Sequence, residues 1–492
     1  MSIIEISRLT FGYDGSFENV FEDVSLNLDA DWRLGLCGRN GRGKTTFLKL
    51  LAGCYEYKGR ISASVGFEYF PYAVEDGSRA VASVMREIAP NAPDWLIKRE
   101  LSKLDVGAET LDRPFFTLSN GERVKCLLAA MFVKDNGFLL IDEPTNHLDA
   151  EARRLVAKYL HGKKGFVLVS HDRAFLDACV EKILSINKSG IEIADGNFSE
   201  WYRNKLMKDA FEEAQNAKLE KEIEKLSAAA RRVSDWADKT EKGKYGVQPS
   251  GLKADRGYIG HKSAKLMKRS KAIEYRLETA ADEKRGLLKD IESADALKIL
   301  PLKYHGERLV SLDKAAISYD GRIVCGNVTF DINQGDRIAL VGKNGSGKSS
   351  VLKLILGRPI EYDGAVRVGS GLKISYVPQD VSGISGSLDD FAAENAIDKT
   401  LFKTVLRKLD FSRGQLEKDI SEYSAGQKKK TAIAASLCRN AHLYVWDEPL
   451  NYVDIFSRMQ VEELLREYRP TLLFVEHDRA FCENIATKTV GL

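Results

Sequence analysis

Hydrophobic and polar positions fall into two textures along the chain. In the first and last thirds, short continuous apolar runs are separated by amphipathic stretches of helical period. That is the pattern of strands buried on both faces and joined by helices. Leu34–Gly38, Phe138–Asp142 and Phe166–Ser170 predict such strands near the N-terminus, and Arg337–Gly342, Leu443–Asp447 and Leu472–Val475 predict them near the C-terminus. Lys44–Leu51 and Lys348–Leu356 predict helices that follow directly from the first strand of each set. Strand and helix in alternation predict an α/β fold with a parallel sheet in each part.

The middle of the chain reads differently. From about Trp201 to Leu300 it is helical and charge-laced, with almost no strand signal. Ile223, Leu226, Ala230, Val233 and Ala237 recur at alternating spacings of three and four. Ile273, Leu277, Ala280, Leu287 and Ile291 keep the same register, with Lys284 in one slot. Two such seams, joined by a stretch bearing Gly243, Gly246, Gly251, Gly257 and Gly260, predict an antiparallel coiled-coil hairpin. Two helices packed flat on a neighbouring domain would also suit. The seams are narrow and the other faces heavily charged, which favours a projecting hairpin.

The two outer parts are copies of one another. A GxxxxGK[ST] phosphate loop occurs as Gly38–Thr45 and again as Gly342–Ser349. A serine-glycine signature follows at Ser119 and Ser424, an Asp ending an apolar strand at Asp142 and Asp447, and a histidine at His171 and His477. These four landmarks keep step over an offset of about 305 residues, as a tandem duplication of one domain requires. The expected division is residues 1–200, 201–300 and 301–492: first ATPase domain, helical linker hairpin, second ATPase domain.

The landmarks carry phosphate chemistry. Glycines let successive backbone N–H groups converge on phosphates at the positive end of the next helix. Gly38, Asn40, Gly41, Gly43, Lys44, Thr45 and Thr46 would form one cradle, and Gly342, Asn344, Gly345, Gly347, Lys348, Ser349 and Ser350 the other. Lys44 and Lys348 would reach the β- and γ-phosphate oxygens, and the Thr45 and Ser349 hydroxyls would ligate Mg²⁺. Asp142 and Asp447, at strand ends, suit the metal's outer carboxylate. Glu143 and Glu448 come next and are placed to activate the attacking water.

Composition narrows the setting. With 44% hydrophobic and 29% charged residues the chain is an ordinary globular protein, and no apolar run reaches the length of a membrane helix. The first eight residues lack a signal-peptide pattern, and Cys37, Cys54, Cys126, Cys179, Cys325, Cys438 and Cys482 are scattered; both point to a reducing, cytoplasmic setting. The net charge is only +3, yet between Lys239 and Arg276 eleven Lys or Arg face three acids. A solvated linker would tolerate such a run; a polyanion footprint is the sharper reading.

LSNGE (Leu118–Glu122) and YSAGQ (Tyr423–Gln427) resemble the signature motif of the ATP-binding-cassette family. In that family two cassettes sandwich head to tail. The resemblance implies one site joining Lys44, Thr45, Asp142, Glu143 and His171 to Ser424 and Gly426. The other would join Lys348, Ser349, Asp447, Glu448 and His477 to Ser119 and Gly121. Tyr13 and Tyr319, each in a YDG turn, resemble the tyrosine that stacks on adenine. The family's metal-contacting glutamine is Gln379 in YVPQ, but Tyr72 stands at its counterpart in YFPY, and Asn120 replaces a usual glycine. The resemblance therefore implies a first site that binds Mg²⁺ through water or turns over more slowly.

A coiled coil between two intact cassettes resembles the ABC-F class of translation proteins. The interval from phosphate loop to signature holds no large arm in either half. LMKRSK (Leu266–Lys271), KYG (Lys244–Gly246) and WDEPLNY (Trp446–Tyr452) are most similar to the Lsa-type antibiotic-resistance members. That resemblance implies a monomer with two internal ATP sites, acting in the E site of the 70S ribosome without any membrane partner. Its loop would approach the P-site tRNA and 23S rRNA through Lys244, Tyr245, Gln248, Pro249, Leu252, Lys253, Arg256 and Tyr258. Lincosamides, streptogramins A and pleuromutilins would be the drugs countered. A housekeeping regulator of stalled ribosomes, or the ATPase subunit of a membrane exporter, are the other readings.

Overall fold

The computed structural model describes residues 2–15, 19–134, 137–145, 148–187, 190–242 and 301–492 apart from 344, with scattered positions between 265 and 279. The chain divides into two compact units: Met1–Trp201 together with Ala294–Leu492, and Tyr202–Ser293.

The first unit contains the duplication. Its N-terminal half has strands β1 (Ile3–Phe11), β2 (Phe21–Asp29), β3 (Arg33–Cys37), β4 (Lys58–Ala63) and β5 (Gly66–Phe70). These are followed by β6 (Gly137–Asp142), β7 (Phe166–Val169), β8 (Lys182–Asn187) and β9 (Gly190–Asp195). An antiparallel sheet of order β2-β1-β4 lies beside a larger sheet of order β5-β6-β7-β3-β8-β9, in which only β8–β9 is antiparallel. The C-terminal half repeats this with β10 (Arg308–Tyr319), β11 (Arg322–Asn333), β12 (Arg337–Val341) and β13 (Glu361–Val368). It continues through β14 (Ile374–Val377), β15 (Leu443–Asp447), β16 (Leu472–Val475) and β17 (Lys488–Gly491). The sheet orders β11-β10-β13 and β14-β15-β16-β12-β17 repeat those of the first half, except that among the described residues the second large sheet has no counterpart of β9. The tandem α/β architecture expected from the apolar runs is therefore the observed one.

Each central strand is buried on both faces, and its side chains alternate between two cores. In β15, Leu443 and Val445 pack with Leu312, Ile338 and Leu340 under the antiparallel sheet. Tyr444 and Trp446 point the other way, into helices of the signature-bearing subdomain with Phe402 and Leu406. At roughly 1.5–3 kcal/mol per fully buried large apolar side chain, this two-sided burial is what holds the acidic strand ends in place. Cys37, Cys126, Cys179 and Cys325 are buried, while Cys54 is exposed.

The described residues of the second unit lie mostly in a helix that begins at Phe198 and runs for 45 residues to Lys242. Ile223 and Leu226 of the expected seam are half-buried, while Leu206, Met207 and Phe211 are exposed. Lys271–Ile273 and Tyr275–Leu277 are helical. The loop between the expected helices, with Lys244, Tyr245, Gln248, Pro249, Leu252, Lys253, Arg256 and Tyr258, lies outside the described residues, as do Ala280, Lys284, Leu287 and Ile291.

Candidate active sites

Strands β3 and β12 each end in a glycine loop whose last glycine caps the helix that follows. Gly41 and Gly43 have φ of 81° and 86°, Gly345 and Gly347 of 83° and 93°. A Cβ on Gly43 would come within 2.6 Å of Val20, and one on Gly347 within 2.7 Å of Cys325. Left-handed backbone and close packing both demand glycine there. Lys44 Nζ donates to Gly38 O at 2.8 Å, Arg39 O at 3.2 Å and Asn40 Oδ1 at 3.2 Å. Lys348 Nζ donates to Gly342 O and Lys343 O, both at 2.9 Å. Both ammoniums are buried and held across the mouth of their own loops. Burial lowers the pKa of each, with opposing help from Asp454 and Glu143 at Lys44 and from Glu448 and Asp149 at Lys348. Asn344 lies outside the described residues.

The hydroxyl after each lysine meets the acid at the end of the neighbouring strand. Thr45 Oγ1 donates to Asp142 Oδ2 at 2.8 Å, and Ser349 Oγ to Asp447 Oδ1 at 3.2 Å. Tyr69, from β5, also donates to Asp142 Oδ2, at 2.9 Å. Tyr13 and Thr46 share a 2.7 Å hydroxyl hydrogen bond, and Tyr319 donates to Ser350 Oγ at 3.2 Å. The tyrosine rings thus sit beside the loops with 45% and 41% of their residue surface open.

Glu143 and Glu448 share a strained backbone, with φ of 49° and 46°, and their amides are tied to Val169 O and Val475 O. His171 Nε2 is 3.2 Å from Glu143 Oε1, and His477 Nε2 is 3.5 Å from Glu448 Oε1. Glu448 also accepts from Asn451 Nδ2 at 2.6 Å and from the Gln379 side chain. Among the described residues Glu143 Oε1 is buried and accepts no hydrogen bond, although His171 Nε2 lies close to it. Tyr72, at the position equivalent to Gln379, donates instead to Glu87 Oε1 at 2.7 Å. Burial, then Asp142, raises the Glu143 carboxyl to about 8 against the pull of Arg458 and Lys44. Burial also acts on Glu448, but the hydrogen bonds and charge of His477, with Gln379 and Lys429, bring it down to about 2. Burial, reinforced by Lys44 and Arg458, holds His171 well below the usual imidazole range.

The signature residues face the opposite phosphate loops. Ser119 and Ser424 cap the helices Asn120–Val133 and Ala425–Cys438 through reciprocal capping boxes with Glu122 and Gln427. A Cβ on Gly426 would lie 2.4 Å from Tyr452 O and 3.1 Å from Asn40 Nδ2. Asn40 Nδ2 itself donates to Tyr452 O at 3.2 Å, and Arg39 pairs with Asp410 at 3.0 Å. At the second site a cavity of about 1060 Å³ is lined by Lys348, Ser349, Gln379, Glu448 and His477 together with Ser119, Asn120 and Gly121. The residues grouped by motif are thus brought together in two composite arrangements.

Several participants were not singled out from sequence. Asp149 and Asp454 cap the helices after the acidic strands, and each carboxylate acts on the phosphate-loop lysine of the other half. Their equal distance of seven residues from Asp142 and Asp447 was the available signal. Arg153–Asp172 and Arg458–Asp478 form matching pairs at 3.0 and 3.1 Å, both members of the second being buried, and Arg173 reaches across to Glu462.

Two duplicated parallel-sheet domains, each closing its phosphate loop with the other's signature helix, define a paired nucleotide-binding cassette. The ABC transporter family matches residues 21–146 and 325–451, about half of the chain, and the chain belongs to that family. It is an ATPase of the ABC-F class. It is similar to the ribosome protection protein VmlR of Bacillus subtilis (strain 168), 29% identical over 97% of this chain and 85% of that one. It is also similar to the energy-dependent translational throttle protein EttA of Escherichia coli O6:H1, 25% identical over 95% and 88%. A solved complex of archaeal ribosomal stalk protein aP1 with the ribosome recycling factor aABCE1 shares the fold, with a TM-score of 0.63 at 18% identity, covering 98% of this chain and 87% of that one.

Proposed function

We propose that this ATPase binds the bacterial ribosome and protects it from antibiotics that act at the peptidyl-transferase centre. The observation that carries the reading is the likeness to VmlR along nearly the whole chain, linker included. The basic run from Lys239 to Arg276 supports it, since clustered Lys and Arg gain affinity for RNA by releasing counterions. Among the described residues no helix is long and apolar enough to cross a membrane. In this reading the residues from Lys244 to Tyr258 approach the P-site tRNA and 23S rRNA from the E site, and the drugs countered are lincosamides, streptogramins A and pleuromutilins. The protein works in the cytoplasm as a monomer with two internal sites.

The residues fit Mg²⁺ and ATP. Thr45 with Asp142, and Ser349 with Asp447, pair hard oxygen donors beside a phosphate cradle. Among the described residues no group of three His, Cys, Asp or Glu could hold a metal alone. The hydroxyl–carboxylate pairs suit Mg²⁺, which is held by one or two protein oxygens plus phosphates. Gln379 would add a donor in the second site. When bound, Mg²⁺ offsets the negative charge of the β- and γ-phosphates. Lys44 and Lys348 would neutralise the same oxygens, while Ser119, Gly121, Ser424 and Gly426 present helix N-termini to the γ-phosphate of the opposite half. Glu143 and Glu448 would orient the attacking water and take its proton, with His171 and His477 bridging to the γ-phosphate.

The test is co-sedimentation of the Glu143→Gln, Glu448→Gln double variant with 70S ribosomes in ATP. Retention on ribosomes is expected, and absence from the pellet would reject the ribosomal reading in favour of an export subunit. Expression in a sensitive host should raise tolerance to the three drug classes. Unchanged tolerance with retained binding would move the role to housekeeping, as the likeness to EttA also allows.

A further inference from the structure

We propose that Lys429 is a positioning residue of the second ATP site, tying the loop that carries Gln379 to the strand that carries Asp447 and Glu448. The proposal rests on the reading of Asp447 and Glu448 as that site's metal and water residues.

Lys429 lies on the signature helix Ala425–Cys438 and is 1% exposed. Its Nζ donates to Pro378 O at 2.8 Å and Gln379 O at 2.9 Å, and it reaches Asp447 O at 3.5 Å. An ammonium has three donors and no acceptor, and here each donor has a main-chain carbonyl. Two of those carbonyls belong to the loop after β14, the third to the end of β15. The side chain of Gln379 in turn hydrogen-bonds Glu448. A continuous path therefore runs from Lys429 through the Gln379 backbone and amide to the carboxylate that faces the cavity.

The other half of the chain serves as an internal control. Position by position along the two signature helices, Ser119 matches Ser424 and Val124 matches Lys429. The strand end after β7 has Ser170 where the second half has Glu476, the opposing charge that acts most strongly on Lys429. The first cassette folds without either buried charge, so the fold does not require them. Burying a charged group is costly unless its partners are supplied, and this one is supplied only where a glutamine loop exists to be held. Where Val124 replaces the lysine, Tyr72 replaces the glutamine and turns to Glu87.

The experiment reads single-site turnover from phosphate release in the full-length chain. Glu143→Gln isolates the second site and Glu448→Gln the first. In the Glu143→Gln background, Lys429→Met should lower kcat about tenfold with KM for ATP little changed, as misplaced catalytic groups do. Lys429→Arg should restore most of it. In the Glu448→Gln background the same Lys429→Met should leave turnover within about twofold, because the path serves only the other site. The pair Lys429→Val with Glu476→Ser copies the residues of the first cassette, leaves no unpaired charge, and should show the same loss of kcat. Unchanged kcat in Lys429→Met or in the Lys429→Val, Glu476→Ser pair, an effect on KM alone, or equal losses in both backgrounds would overturn the proposal. Full turnover by the chain carrying both Glu143→Gln and Glu448→Gln would instead overturn the assignment of the sites, whatever Lys429 does.

Discussion

The two ATP sites share a backbone and differ in what surrounds the carboxylate. Glu143 and Glu448 sit at the same strand end, with the same left-handed φ and the same amide hydrogen bond to the next strand. Around Glu448 stand Gln379, Asn451, His477 and Lys429, all of which favour its charge. Around Glu143, Tyr72 has turned away and Val124 and Ser170 replace the buried charges. Duplication has thus kept the geometry that positions a carboxylate, and three substitutions have changed its electrostatic setting. The comparison teaches that a matched motif set does not imply matched chemistry.

The largest expected effect separates the two carboxylates directly. Removing a general base typically costs 10²–10⁴-fold, so Glu448→Gln should lower steady-state ATP turnover by about 10²-fold. Glu143→Gln should leave most of it, because only the second site has a glutamine, Gln379, beside its carboxylate. Phosphate release from the two variants decides the matter, and equal losses would break the comparison.

The signature glycines give the next contrast. Gly426→Ala would drive a Cβ to 2.4 Å from the Tyr452 carbonyl, which is backbone and cannot step aside. Gly121→Ala would meet only a Leu148 methyl at 3.6 Å. ATP binding at the first site should weaken by about tenfold or more in Gly426→Ala, while Gly121→Ala should bind nearly as before. Binding stoichiometry measured with a slowly hydrolysed ATP analogue distinguishes them, and equal weakening would show that the first site is no tighter than the second.

Stability against pH offers a third contrast, read without nucleotide or metal. Glu143 has a folded pKa raised to about 8, so between the ordinary carboxylate range and about pH 8 the folded chain holds a proton that the unfolded chain has lost. Its contribution to stability therefore declines as pH rises through that window. Glu448, held at about 2, contributes stability above the ordinary range and loses it only as pH falls toward 2. Glu143→Gln should accordingly raise the melting midpoint at about pH 8.5 and change it little at about pH 5, whereas Glu448→Gln should lower it at both. A scan in the presence of chelator that showed the same sign for both variants would remove the electrostatic difference.

Much of this was legible in the amino-acid order. The strands ending at Asp142 and Asp447 announce themselves because a doubly buried strand must be apolar throughout, and the phosphate loops because only glycine fits their φ values. The departures at Tyr72 and Asn120 were visible as breaks between two copies. What could not be read were contacts between distant segments. Lys429 looks like one of three surface lysines in KKK, yet packing buries it, and Arg458 looks like any helical arginine until Asp478 is placed beside it. Asn40 meeting Tyr452 spans 412 positions, a contact that no local pattern encodes.

The smallest expected effect is the one that restores likeness. Tyr72→Gln removes a hydrogen bond to Glu87 at a partly exposed position, worth about 0.5–1.5 kcal/mol at most, and offers the first site the amide that its twin has. Without a counterpart of Lys429 the new glutamine would be free to wander, so first-site turnover in the Glu448→Gln background should rise only about twofold. Adding Val124→Lys with Ser170→Glu should raise it further, because the loop carbonyls would then have their donor and the donor its counter-charge. Turnover that rises fully with Tyr72→Gln alone would place the whole difference between the sites in that one side chain.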